Sequence, residues 1–455
     1  MNGSMPSQDS TDSVSGRVPF AEALRFWFKL GWISFGGPAG QIALLHQELV
    51  ERQNWISEKR FLHALNYCML LPGPEAQQLA TYMGWLMHRT WGGIAAGVLF
   101  VLPSLFILIA LSWIYLRFGD VPAVSGIFYG IKPAVTAIVL HAAYRIGSRV
   151  LKNPWLWSIA AGAFVGIFAL SLPFPLIVAG AALLGYVGGK LAPGSFSTSG
   201  GGHGSSKNVQ QRPALIDDAT PIPEHARFGW WRFCKVLLSG LALWTIPVAV
   251  LTAILGWSHT YTQMAWFFTK AALLTFGGAY AVLPYVYQGA VERYGWLTPT
   301  QMIDGLALGE TTPGPLIMIV AFVGFLGGYA NPVFGHDFAL ASGALAATLV
   351  TWFTFLPSFI FVLLGGPLVE STHGNLRLTA PLTAITAAVV GVVVNLALFF
   401  GYHVLWPQGL DHAFDPLALS ILIASTLALF YWKQNVLRVI GAAGLMGLLV
   451  EFLVP

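Results

Sequence analysis

The runs Gly92 to Leu116, Ser158 to Gly189 and Leu237 to Trp257 contain no Asp, Glu, Lys or Arg. Each reaches or exceeds the roughly 20 residues that an α-helix needs to cross the hydrocarbon core of a bilayer. Backbone polar groups at that depth must be satisfied within the segment, so the expected fold class is an all-α integral membrane protein. Charged residues make up 9% of the 455-residue chain, against about a quarter in a soluble domain. That leaves too little polar surface to face water. Trp91, Trp113, Trp155, Trp257, Trp296 and Trp432 stand near the ends of apolar runs, where an amphipathic ring suits the membrane interface.

The chain repeats itself. At an offset of 241 residues, Phe26, Lys29, Phe35, Gly36, Gly37, Gln47, Val50, Glu51, Arg52, Trp55, Pro72, Gly73 and Pro74 recur as Phe267, Lys270, Phe276, Gly277, Gly278, Gln288, Val291, Glu292, Arg293, Trp296, Pro313, Gly314 and Pro315. After a shift in register, Leu102-Pro103-Ser104 recurs as Leu356-Pro357-Ser358. This is a fused duplication, and such repeats are to be sought before motifs are read. The organisation that follows is a polar tail (1–20), a first repeat (21–191), a flexible linker rich in Gly and Ser (192–227), an extra transmembrane helix (236–257) and a second repeat (264–455).

Apolar runs predict about 13 transmembrane helices. Six lie before the linker, at about 21–46, 61–87, 91–117, 123–146, 154–170 and 173–190. Seven follow it, at about 236–257, 264–287, 300–328, 338–364, 379–403, 416–432 and 436–454. One unmatched span between two six-span repeats inverts the second. With the amino terminus and linker cytoplasmic, Arg145, Arg149, Lys152, Arg293, Arg377, Lys433 and Arg438 fall inside, as the excess of cytoplasmic Lys and Arg requires. Arg52, Lys59 and Arg60 then fall outside, unless their segment lies along the membrane or the first span is re-entrant.

Phe35-Gly36-Gly37-Pro38 and Phe276-Gly277-Gly278 interrupt matching spans, as do Pro72-Gly73-Pro74 and Pro313-Gly314-Pro315. Proline deletes a backbone donor and obstructs the preceding turn, while glycine opens backbone angles closed to other residues. One such motif reads as a kink; two kinds in both halves read as broken helices around a shared site, the construction of inverted-repeat transporters. Freed amides at the start of a half-helix make an anion site. Lys29 and Lys270 precede the glycine motifs by seven residues, about 10 Å along a helix, and either hold an anion or snorkel to the interface. Glu75 directly follows the first Pro-Gly-Pro, and Glu310, Thr311 and Thr312 precede the second. Carboxylates at membrane depth are costly and are functional candidates, with dipole complementation as the alternative for Glu75.

No zinc-protease, nucleophile-elbow, phosphate-loop or dinucleotide signature is present, so neither an enzyme nor a nucleotide-driven pump is indicated. Cys68 and Cys234 show no pairing or metal-ligand spacing, and no metal or cofactor is expected. The formal charge of +4 comes from scattered residues rather than a basic block, which gives no nucleic-acid surface. Residues 1–16 lack the apolar core of a cleaved signal.

Taken in order, Phe35-Gly36-Gly37-Pro38, Trp55-Ile56, Leu71-Pro72-Gly73-Pro74 and Val101-Leu102-Pro103-Ser104, with their recurrences from Phe276 to Ser358, resemble the chromate ion transporter family in its long two-domain form. The resemblance spans nearly the whole chain outside the tail and linker. It implies an inner-membrane protein that exports chromate and confers resistance, with sulfate as a structural mimic. Ala279 stands where the first half has Pro38, which questions the second break. On this reading Lys29, Lys270, Thr311, Thr312 and the amides around Gly36, Gly37, Pro72, Gly73, Pro74, Gly277, Gly278, Pro313, Gly314 and Pro315 replace the hydration shell of a tetrahedral dianion. Glu75 or Glu310 would repel that dianion unless protonated, which makes them candidates for proton coupling. Uptake of sulfate or another oxyanion is the alternative, an intramembrane enzyme is the more remote one, and assembly as a homo-oligomer is open.

Overall fold

The computed structural model describes residues 18–35, 37–191, 214–217, 223–371 and 379–453; the predicted site residue Gly36 and most of the linker lie outside them. In the first repeat, α1 (Phe20–Ile33) and α2 (Gly37–His46) lead through a π-helical turn (Gln47–Arg52) to α3 (Glu58–Cys68). Then come α4 (Glu75–Phe118), α5 (Pro122–Val150), α6 (Pro154–Phe168) and α7 (Phe174–Leu191). After α8 (Trp230–Leu255) the second repeat gives α9 (Thr260–Leu273), α10 (Ala279–Tyr287), a matching π-helical turn (Gln288–Arg293) and α11 (Pro299–Thr311). It ends with α12 (Ile319–Ala330), α13 (Ala339–Ser371), α14 (Thr379–Leu405), α15 (Pro416–Phe430) and α16 (Val436–Leu453). The described residues contain no strand beyond an isolated parallel bridge between Ile56 and Ile216.

Seven helices, α4, α5, α7, α8, α13, α14 and α16, are long and apolar enough to cross a membrane; α6, α12 and α15 are shorter and apolar. Only Gly240 of α8 is buried, which suits a helix bathed in lipid. Local chemistry sets the shorter starts. Ser57 caps α3 by accepting from the Arg60 amide, and Thr298 with Gln301 forms a capping box at α11.

The predicted single spans at 21–46, 61–87, 264–287 and 300–328 are each two short helices folded back on themselves. After its break, α2 returns toward the start of α1: the Trp55 ring lies 4.8 Å from that of Phe26. Likewise Arg60, near the start of α3, and Tyr82, seven residues into α4, reach the same carboxylate of Glu370. At His88 and Arg89 the backbone leaves the helix (Arg89 φ 57°) and α4 reverses into a long second arm, 90–118. There Gly84 and Gly92 pack so closely that a Cβ on either would strike the other's carbonyl. The second repeat does the same, with Trp296 5.7 Å from Phe267 and a separate α12 in place of the first arm of α4. Length alone misleads here, because two half-helices of 9 to 14 residues hold as many apolar residues as one crossing.

The repeats are inverted. Tyr261, at the start of α9, donates to the Ser342 carbonyl near the beginning of α13, whereas Arg60 and Tyr82 bind Glu370 near its end. Those 28 residues of helix span about 42 Å. The outer ends of the two hairpin sets therefore face opposite sides of the molecule. Residues 214–217 of the linker sit with the first set, where Leu215 and Ile216 donate to the Asn54 and Trp55 carbonyls at 3.1 and 3.0 Å. This places Arg52, Lys59 and Arg60 on the linker's side, in line with the re-entrant alternative for the first span, and moves Arg293 to the other face, which corrects its assignment from single crossings.

Candidate functional site

The four breaks meet. The Gly73 amide donates to the Thr275 carbonyl and the Gly314 amide to the Ser34 carbonyl, each at 2.7 Å. Each Pro-Gly-Pro loop thus binds the glycine break of the other repeat. Gly73 and Gly314 have φ of 128° and 110°, angles that only glycine adopts without strain. A Cβ at Gly73 would collide with Ser358 Oγ, and one at Gly314 would lie 2.7 Å from Ser104 Cβ. The serines of the two Leu-Pro-Ser motifs are therefore also exchanged between repeats. The second glycine break forms without the proline: Gly277 and Gly278 have φ of 79° and 98°, and Pro38 of the first break packs toward Gly278.

Polar atoms gather at this crossing. Ser34 Oγ, Ser104 Oγ, Gln77 Oε1 and Gln78 Oε1 are buried without a hydrogen-bond partner among the described residues. Each such orphan costs about 1–3 kcal/mol; an anion relieves that cost at the two hydroxyls, whereas the two glutamine carbonyl oxygens accept and call for a donor. Nearby, Gln41 donates to the Gly314 carbonyl at 2.5 Å and Gln78 to the Pro72 carbonyl at 2.8 Å. An amide nitrogen carries two N–H groups, so Gln41 retains a second donor. The N-caps of α4 and α10, Pro74 and Gly278, supply no side-chain cap. The first amides of both helices are left with partial positive charge at the crossing.

The charged candidates divide. Glu75 opens α4 and forms no ion pair among the described residues. Glu310, at the end of α11, accepts a hydrogen bond from Tyr280 just beyond the second break, within electrostatic reach of the Arg145 guanidinium on α5. Thr311 donates to the Ala307 and Leu308 carbonyls and Thr312 to that of Gly309, so both hydroxyl hydrogens are committed to their own helix. Lys29 is exposed and lines an open cavity of about 240 Å³ with Glu22, Arg25, Glu48, Gln53 and Trp55, on the outer side of the hairpin. Lys270 lies 5.6 Å over the Trp266 ring. Among the described residues, neither lysine side chain reaches the crossing loops by a hydrogen bond. Ser34, Gln41, Gln77 and Gln78 were passed over in the sequence, while Ser104 stood only as part of a repeated motif and Arg145 only as a marker of sidedness. Polar residues inside apolar helices, and the repeated serine after Leu-Pro, were the signals that could have found them.

Comparison with known proteins agrees with the repeat. The family described as Chromate transporter matches residues 21–186 and 262–448. A chromate transport protein of Pseudomonas aeruginosa is 32% identical over 454 residues, covering 97% of this chain and 95% of that protein. A chromate transport protein of Cupriavidus metallidurans is 28% identical and covers 98% of both chains. The uncharacterized transporter YwrA of Bacillus subtilis is 31% identical over 134 residues, 29% of this chain and 75% of its own. No solved structure matches. With matched segments in both repeats and full-length relatives, the chain belongs to the chromate transporter family.

Proposed function

We propose that this chain is a secondary transporter that exports chromate across the cytoplasmic membrane, with the crossing of the four helix breaks as its anion site. The observation that carries the reading is the pair of reciprocal bonds from Gly73 to Thr275 and from Gly314 to Ser34, beside the buried Ser34 and Ser104 hydroxyls that lack partners among the described residues. A tetrahedral dianion accepts hydrogen bonds at every oxygen. The Ser34 and Ser104 hydroxyls, the second N–H of Gln41 and the uncapped amides of α4 and α10 are donors suited to it. Arg145 supplies a planar, permanently charged partner that an oxyanion prefers. These groups serve better than Thr311 and Thr312, whose hydrogens are spent, and better than Lys29 and Lys270, which stand apart. Glu75 and Glu310 border the anion and exchange a proton with its arrival, since like charges disfavour joint occupancy. The printed names of the full-length relatives support chromate as the cargo.

The re-entrant hairpins support an orientation with the amino terminus and linker cytoplasmic. Arg52, Lys59, Arg60 and Arg89 then join Arg149, Lys152, Lys433 and Arg438 on the inner face, as the distribution of positive charge demands. Alternating access follows when one hairpin set rocks against the other around the fixed crossing.

Radiolabelled chromate flux in proteoliposomes, with sulfate as competitor and chemical analysis of the recovered anion, tests the reading. Saturable flux of unaltered chromate is expected, reduced at least about tenfold by Ser34→Ala with Ser104→Ala, since each lost charge-assisted bond costs about 1.5–3 kcal/mol. Flux indifferent to both substitutions would overturn the site, and a chemically altered anion would overturn the transport reading.

A further inference from the structure

Away from the crossing, Asp304 on α11 is almost fully buried between Tyr115 at the far end of α4 and Lys132 on α5. We infer that Asp304, held between Tyr115 and Lys132, is a proton-binding site that couples proton entry to opening of the face on which α4 ends. The inference rests on the reading of the chain as an anion transporter.

The two oxygens of this carboxylate differ. Oδ2 accepts from the Tyr115 hydroxyl at 2.8 Å. Oδ1 has no hydrogen bond among the described residues and lies 3.7 Å from the Lys132 ammonium, beyond the roughly 3.6 Å at which an N–H···O contact is no longer a hydrogen bond. A buried ion pair needs close geometry to offset desolvation, and this one is left open on the side where a proton would bind. Lys132 is 27% exposed while Asp304 is 3% exposed, so the cluster opens to the molecular surface on the side of its cation. That cation repels a metal ion, and the described residues offer no cluster of three metal ligands around it. A proton needs only the one free oxygen.

The inverted repeat supplies an internal comparison. The long helices α4 and α13 each end against the other repeat's helix that leads into Pro-Gly-Pro. At the end of α13, Glu370 has both oxygens bonded, Oε1 to Tyr82 at 2.6 Å and Oε2 to Arg60 at 3.3 Å. Arginine stays charged at every physiological pH, so that cluster is a latch. The Asp304 cluster uses a lysine and leaves one oxygen open.

Other titratable groups on the packed elements are placed elsewhere. Arg117 in the last turn of α4 and Asp120 beyond it are exposed. Tyr129 of α5 donates to Asp415, His403 of α14 faces its own Phe399 carbonyl, and Glu451 of α16 packs on Gly126. Tyr402 of α14 and Arg438 of α16 lie toward helix ends, Glu310 is six residues farther along α11, and α12 carries only Tyr329 at its end. When water on that face delivers a proton to Oδ1, the carboxylate becomes neutral and Lys132 loses its partner. The contact between α11 and α5 then loosens. Because α11 runs directly into Pro313-Gly314-Pro315, the loosening reaches the crossing.

The test uses full-length protein in proteoliposomes and two assays: chromate counterflow at equal pH, and chromate accumulation driven by an imposed pH gradient. Asp304→Asn is expected to keep counterflow, lose gradient-driven accumulation by at least tenfold and flatten the pH profile. Tyr115→Phe keeps the ring contacts with Phe128 and Phe322 but removes the donor to the ionised form. It should shift the pH midpoint of accumulation upward by about one unit, the worth of a single hydrogen bond. Wild-type coupling in Asp304→Asn, an unmoved midpoint in Tyr115→Phe, or wild-type accumulation that follows a sodium gradient instead would each overturn the inference. Failure of chromate counterflow in the unaltered protein would instead remove the transport reading on which it rests.

Discussion

At Gly73 and Gly314 two demands coincide: a positive φ that side chains resist, and a space already filled by Ser358 or Ser104. Alanine at either position adds about 1–3 kcal/mol of backbone strain and forces the long helices apart. Gly73→Ala and Gly314→Ala are therefore expected to insert normally, lower the melting temperature and reduce chromate flux at least about tenfold, as measured by thermal unfolding in detergent and flux in vesicles. Undiminished flux in both would mean that the crossing is not needed for transport. The breaks themselves were legible, because Pro-Gly-Pro and Gly-Gly act on local backbone. Their partners were not, since Gly73 bonds to Thr275 some 200 positions away, and no local signal carries that pairing. Lys29 and Lys270 were placed near the site by helical spacing alone. Lys29 is instead exposed, which is where such a side chain is cheapest to solvate, and Lys270 is half-buried over the Trp266 ring.

Hairpin formation at the level of elements escaped the sequence for a related reason. Periodicity does not distinguish one helix of 26 residues from two that turn back at glycine, and only the misplaced charges Arg52, Lys59 and Arg60 hinted at the difference. The linker was legible from its Gly and Ser, yet its described parts are bound to the hairpin ends. Arg60 donates to the Asp217 carbonyl at 2.9 Å and His225 Nε2 pairs with the Trp85 carbonyl at 2.9 Å. Burial, with Arg89 and Arg232 nearby, holds the His225 imidazole below its ordinary value, and the bond to Trp85 opposes this only in part. The undocked segment then binds the proton more readily than the docked one. Docking is full above about pH 6.5, the ordinary imidazole value, and weakens as pH falls below it. Limited proteolysis of the linker should accordingly run faster at low pH than at neutral pH, and His225→Gln should abolish the difference. Equal rates in the unaltered protein would remove His225 from any role in docking.

At the scale of the whole molecule, the duplication was legible from the offset of 241 and its inversion was expected from the one unmatched span, but the sidedness of its loops depended on how many times the chain crosses. Single crossings at 21–46 and 264–287 would carry Gln53 to the outside and Thr300 to the inside. Hairpins reverse both assignments. They keep Gln53 beside the linker, and Thr300 lies at the other end of the molecule with the start of α13. The two schemes agree on the linker and on the 404–415 loop, so those positions cannot separate them. Both Gln53 and Thr300 are exposed, and Cys68 and Cys234 are the two native thiols. In a background with both thiols replaced by serine, Thr300→Cys should react with a membrane-impermeant maleimide on intact cells. Gln53→Cys should react only after the membrane is opened. The reverse pattern would restore four full crossings in place of the hairpins. It would also separate the breaks from the shared crossing, because chains that pass straight through cannot return Trp55 to Phe26 or Trp296 to Phe267.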